Sequence, residues 1–212
     1  MRLLCAALSA AFLMIFAALP AVAEEQSDQA EAVFDLLRGG GHLLVMRHAH
    51  SPGGQKAAIG MTEGCNLQAG RGLNVEGLVQ AKALGELLKT EQVPVLKAYT
   101  SDMCRAWDTA RLTAGGASVI PHPAQKTTDP EIIAAFKKEI EAELVANPGQ
   151  NIILASHSNV APLYGAIVLD GEEELPEGVI NVVTAPGWNG VGGAVLRIVP
   201  NVEIVSKSVT VE

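Results

Sequence analysis

Residues 42–51 read HLLVMRHAHS: an apolar run, Leu43 to Met46, passes straight into Arg47, His48 and His50. A brief continuous apolar run closed by polar residues is the pattern of a strand buried on both faces. A buried strand that ends by delivering a guanidinium and two imidazoles places chemistry at the edge of a sheet. Two later stretches repeat the arrangement. Residues 93–101, VPVLKAYTS, end in Ser101 with Arg105 one helical turn further on, and residues 151–159, NIILASHSN, end in Ser156, His157, Ser158 and Asn159.

Helical patterns separate these strands. Residues 27–41, SDQAEAVFDLLRGGG, suit a short helix capped by Ser27 and stopped by glycines. Residues 73–92 place Val75, Leu78, Ala81, Gly85 and Leu88 on one stripe, with Asn74 as the cap and Lys82 and Glu86 outside. Residues 102–116 give a helix ended by glycines. Residues 128–149 give another, with Asp129 as cap, Pro130 in the first turn, and Ile133, Phe136, Ile140 and Leu144 on one face. A helix is expected to begin within 158–171, and late strands within 192–200 and 202–212. The Gly-rich stretch 51–72 and the Pro-rich stretch after Gly116 read as loops. Strands alternating with helices predict an α/β domain, a three-layer α/β/α sandwich around a largely parallel sheet.

Composition narrows the function classes. The first 23 residues combine Arg2, a long apolar run and the ending Pro20-Ala21-Val22-Ala23, the layout of a cleaved signal peptide. Residues 24–212 then form one domain, expected in the periplasm or secreted, with no stable membrane anchor after cleavage. Losing Arg2 moves the formal net charge from −8 to −9, which offers nothing to nucleic acid. Cys65 and Cys104 remain as a pair in an oxidising compartment, suited to a disulfide, with two buried thiols as the alternative.

In an open α/β sheet, ligands sit beyond the carboxyl ends of the strands. Arg47, His48, Arg105 and His157 would meet there. Arginine forks match phosphate oxygens in pairs, free N–H groups at helix starts favour anions, neutral imidazole can attack phosphorus, and a second imidazole can stabilise the transferring charge. The set describes a phosphoryl pocket.

Four stretches in order resemble the histidine phosphatase superfamily, the phosphoglycerate mutase-like fold: LVMRHA at 44–49, LNVEGLVQAKALGELL at 73–88, SDMCRAWDTA at 101–110 and ILASHS at 153–158. The resemblance spans roughly residues 42–165. It implies that His48 is the nucleophile that becomes a phosphohistidine, that Arg47, Arg105 and His157 complete the phosphate cradle, and that no metal or other cofactor takes part. His48 would attack through one ring nitrogen while the other donates to a backbone carbonyl. Substrates would be a phosphorylated small molecule, saccharide or protein. The chain departs from the family at Ala49, where Gly is usual, at Ser156, where Gly often precedes the second histidine, and in lacking the Asn frequent in mutases after the first motif. The loop after Thr109-Ala110 lacks the acidic signature that usually supplies the proton donor, leaving Asp129, Glu131 and His50 as candidates. Ser101 reads as a helix cap, and Thr109 as helix packing. Two other readings stand beside the phosphatase: an envelope protein that binds a phosphorylated ligand without turnover, and a metal site built from His48 and His50 with His42, His122 and His157.

Overall fold

The computed structural model describes residues 30–52, 72–191, 194–198 and 204–208. The expected signal peptide, Cys65 and most of the loop at 51–72 lie outside the described residues. In chain order the elements are α1 (residues 30–39), β1 (His42–Arg47), α2 (Val75–Thr90), β2 (Val95–Thr100), α3 (Cys104–Thr113), β3 (Ser118–Pro121), α4 (Pro130–Ala146), β4 (Asn151–Ser156), β5 (Ile180–Thr184), β6 (Asn189–Gly190), β7 (Ala194–Ile198) and β8 (Ile204–Ser208).

The strands form one sheet in the order β3-β2-β4-β1-β5-β7-β8, with β6 paired to β5. The half that holds the three strands expected at the site is parallel: β3 with β2, β2 with β4, β4 with β1. From β5 onward the pairing is antiparallel. That change of direction matters for the site, because it brings the start of β5 to the edge where β1, β2 and β4 end.

Side chains alternate across a strand, and β1 uses both faces. Leu44 and Met46 pack with Leu37 of α1, Leu84 and Leu88 of α2 and Ala110 of α3, while Leu43 and Val45 pack with Ile133, Phe136, Ile140 and Leu144 of α4. The result is the expected helix/sheet/helix layering. α4 forms as its sequence dictates: Asp129 Oδ1 accepts from the amides of Glu131 (2.9 Å) and Ile132 (3.3 Å), and the four apolar residues of its stripe are buried. Each such side chain contributes roughly 1.5–3 kcal/mol on burial.

Four features differ from the expectation. In α2 the buried stripe is Gly77, Ala81, Leu84, Gly85 and Leu88, whereas Val75 is 77% and Leu78 42% exposed. The reason lies at Gly77: a Cβ there would stand 2.1 Å from His50 O, so the helix start docks on the β1 loop through the residue that has no side chain. The helix expected within 158–171 is a single 3-10 turn, Ala161–Tyr164, ended by Gly165 in the left-handed region (φ 89°). The loop reading after Gly116 misses β3, and β5 was not read as a strand.

Candidate active site

The ends of three parallel strands place the expected residues together. Arg47 lies opposite Ser156 in the β1–β4 register, and the His48 amide continues the ladder to Ser156 O at 3.0 Å. His48 and His157 are therefore neighbours at one sheet edge, their ring centroids 5.6 Å apart and their planes inclined at 65°. On the other side of β4, Ser101 follows β2, and its Oγ lies 2.9 Å from His157 Nε2. Arg105, in the first turn of α3, reaches back over this edge.

Arg105 and Thr109 are one helical turn apart in α3 and face β1 and β4, and Ser101 reaches the same edge from the end of β2. Ser101 Oγ accepts from the Met103 amide (3.3 Å) as well as meeting His157, so it serves the helix start and the histidine together. Thr109 Oγ1 donates to Arg105 O (2.7 Å) and accepts from the Ala49 amide (2.9 Å), tying α3 to the residue after His48. The sequence reading assigned Ser101 and Thr109 to local helix roles alone; their positioning role could be found from the four-residue spacing.

His48 is 2% exposed. Arg105 donates from Nε to His48 Nε2 at 3.0 Å. Because a guanidinium N–H can only donate, Nε2 is the lone-pair nitrogen, and Nδ1, 2.9 Å from Ala49 O, carries the hydrogen. The tautomer is thus set as the nucleophile reading requires. Burial, first, then the charges of Arg105, His157 and Arg47, lower the pKa of this imidazole to about 3 against the raising effect of the Ala49 bond. Arg105 Nη2 lies 3.4 Å from His157 Nδ1.

Arg47 is clamped by the segment ahead of β5. Its Nη1 donates to Leu175 O (2.9 Å) and meets Glu174 Oε1 (2.5 Å), and its Nη2 donates to Glu177 Oε1 (3.2 Å). Glu177 is a residue of this cluster that the motifs do not mark. It sits just before Val179 and Ile180, an apolar stretch that Asn181 interrupts, and an antiparallel β5 is what carries it to this edge. Gly178, between them, has φ 68° and donates to His48 O at 3.1 Å; a Cβ there would stand 2.2 Å from the Gln80 side chain.

A cavity of about 280 Å³ opens above this cluster, lined by Arg47, His48, Met103, Arg105, Lys126, His157, Ser158 and Asn159. All four expected site residues line it. Lys126, paired with Asp102 at 2.6 Å, is a cation that the sequence reading did not single out. The three candidate proton donors do not line it. Asp129 caps α4, Glu131 is exposed in its first turn, and His50 faces a neighbouring cavity with its Nδ1 3.5 Å from Glu76. Cys104, at the start of α3, is disulfide-bonded. Among the described residues no group of three His, Cys, Asp or Glu side chains is gathered that could hold a metal ion.

Residues 43–133 match the family model of the histidine phosphatase superfamily (branch 1). No curated protein matches the chain in sequence. Among solved structures, the protein histidine phosphatase SixA complexed with tungstate is similar over 76% of this chain and 97% of its own, at 16% identity and a TM-score of 0.56. The putative phosphohistidine phosphatase SixA from Agrobacterium tumefaciens is similar over 68% and 91%, at 16% identity and a TM-score of 0.50. At such identities the likeness is one of fold.

Proposed function

We propose that this chain is a member of the histidine phosphatase superfamily, an exported, metal-independent phosphatase that carries the phosphoryl group transiently on His48 Nε2. One observation carries the reading. A buried imidazole presents an unprotonated Nε2 to a small cavity whose polar walls include Arg47, Arg105 and His157. A phosphate dianion placed there would meet two guanidinium groups, each able to grip two oxygens, and an imidazole able to share the developing charge.

Binding would draw Arg105 Nε–H from His48 Nε2 to a phosphate oxygen, freeing the lone pair at the moment the phosphorus arrives. Nε2 then bonds to phosphorus as the bond to the leaving group breaks, and water afterwards attacks phosphorus and returns the bonding electrons to Nε2. The Ala49 carbonyl holds the ring throughout by accepting from Nδ1. Phosphomonoesters and phosphoproteins are the proposed substrates, phosphohistidine proteins included, since the SixA structures carry that name. Export is supported by the signal-like residues 1–23 and by a disulfide at Cys104, a bond that persists in oxidising compartments.

The test is turnover of p-nitrophenyl phosphate at mildly acidic pH with a chelator present, and alkaline-quench trapping of phosphorus on the protein. The unsubstituted chain should turn over and label. His48→Ala should lose both, with turnover down by about three orders of magnitude or more, as expected for loss of a nucleophile. Equal turnover by the two would remove the proposal.

A further inference from the structure

We infer that Glu177 is a positioning residue for phosphoryl transfer, its carboxylate standing on the Nδ1 side of the His48 ring so that the ring holds a positive charge while Nε2 carries phosphorus. The inference rests on the phosphohistidine reading and adds to it a residue outside the four motifs.

Glu177 Oε1 lies 3.7 Å from His48 Nδ1, the one carboxylate oxygen within 4.0 Å of a nitrogen of this ring among the described residues. Its place is fixed from several sides. Oε2 accepts from the Ser51 amide at 3.3 Å, its backbone oxygen accepts from Gln80 Nε2 at 2.9 Å, and Gln80 Oε1 in turn accepts from the His50 amide at 2.9 Å. The next residue, Gly178, bonds to His48 O. The other charged or titratable groups around the ring are Arg47 at the end of β1, Arg105 of α3 and His157 after β4, all cationic or capable of becoming so.

When Nε2 gives its lone pair to phosphorus, the bond from phosphorus to the leaving oxygen breaks, and that oxygen takes a proton from solvent. The ring keeps its Nδ1 hydrogen and gains one positive charge. On hydrolysis a water oxygen bonds to phosphorus, the N–P electrons return to Nε2, the ring is neutral again, and the water's proton passes to solvent. Burial among cations opposes the charged intermediate. A fixed carboxylate beside Nδ1 favours it, and also discourages loss of the Nδ1 hydrogen, which would leave an imidazolide as the leaving group in the second step.

Glu177 also holds Arg47, so the experiment must separate the two effects. Arg47 has a second carboxylate in Glu174, and Glu174→Gln is the comparison. The full chain would be phosphorylated with phosphoramidate, the rate followed by rapid alkaline quench, and the Nδ1 titration of the phosphorylated ring read by 15N NMR. Glu177→Gln should phosphorylate about tenfold more slowly at saturating donor, with the Nδ1 hydrogen lost about one pH unit lower. Glu174→Gln should require more phosphoramidate while leaving the saturated rate and the ring titration near those of the unsubstituted chain. In the unsubstituted phosphoenzyme itself, Nδ1 should stay protonated to at least as high a pH as in free N-phosphohistidine. A lower value there, or a Glu177→Gln chain with unchanged saturated rate and titration, would overturn the inference. An unsubstituted chain that takes up no phosphorus would instead retire the proposed function on which it rests.

Discussion

Burial drives the imidazole of His48 from 6.5 down to about 3, with Arg105, His157 and Arg47 pushing the same way and the Ala49 hydrogen bond pushing back. A nucleophile with that property stays unprotonated through the mildly acidic range, so kcat/KM between pH 7 and 5 should show no loss attributable to its ionisation. Stability carries the opposite consequence. Above pH 6.5 neither the folded nor the unfolded chain protonates this ring. Below it the unfolded chain binds a proton that the folded chain refuses until about pH 3, so stability is lost as pH falls through that window. The loss is about 1.4 kcal/mol per pH unit from this group alone. Urea unfolding from pH 6.5 to 3.5 should therefore show a steeper decline in the unsubstituted chain than in His48→Asn; parallel declines would contradict it. Arg47, His48, Arg105 and His157 were legible because each closes an apolar run or sits one turn beyond one. Glu177 and Lys126 were not, because nothing local in the chain marks a carboxylate or an ammonium that tertiary pairing carries to a distant loop.

Helix α2 illustrates how a pattern can name an element correctly and orient it wrongly. Its apolar residues outnumber one face, so periodicity alone permits a stripe through Val75 and Leu78 as readily as the observed one through Gly77, Ala81 and Leu84. Close approach decides between them, and Gly77 is where the helix meets His50 O. Gly77→Ala should lower stability by about 1–3 kcal/mol, the usual cost of overpacking, and should displace the Gln80 amide that links the His50 amide to Glu177. Denaturant midpoints together with p-nitrophenyl phosphate turnover would measure both, and a chain as stable and active as the original would show that the helix shifts freely. α4 was fully legible because cap, proline and stripe agree. β5 was not, because strand–helix alternation argues for parallel neighbours, whereas β5 follows β4 without an intervening α-helix among the described residues and runs antiparallel to β1.

The sheet gathers its edge from stretches that are remote in sequence, and the disulfide at Cys104 ties the start of α3, where Arg105 is mounted, to a second point in the chain. With Cys65 as partner, the expectation from sequence, the bridge would close about 38 intervening residues and contribute roughly 3–4 kcal/mol through the unfolded chain. Reduction, or Cys104→Ser, should then lower Tm and weaken turnover together, because the helix loosened is the one that aims the guanidinium. Unchanged melting and turnover in reductant would remove that coupling. The antiparallel arrival of β5 has a consequence for how the molecule is made. Arg47 emerges from synthesis 130 residues before Glu177, the carboxylate that shares its clamp, so a nascent chain that has built β1 to β4 still lacks the wall that fixes its guanidinium. A reactive cup exists only after the late segment docks, and chains cut short before residue 177 should be born without one.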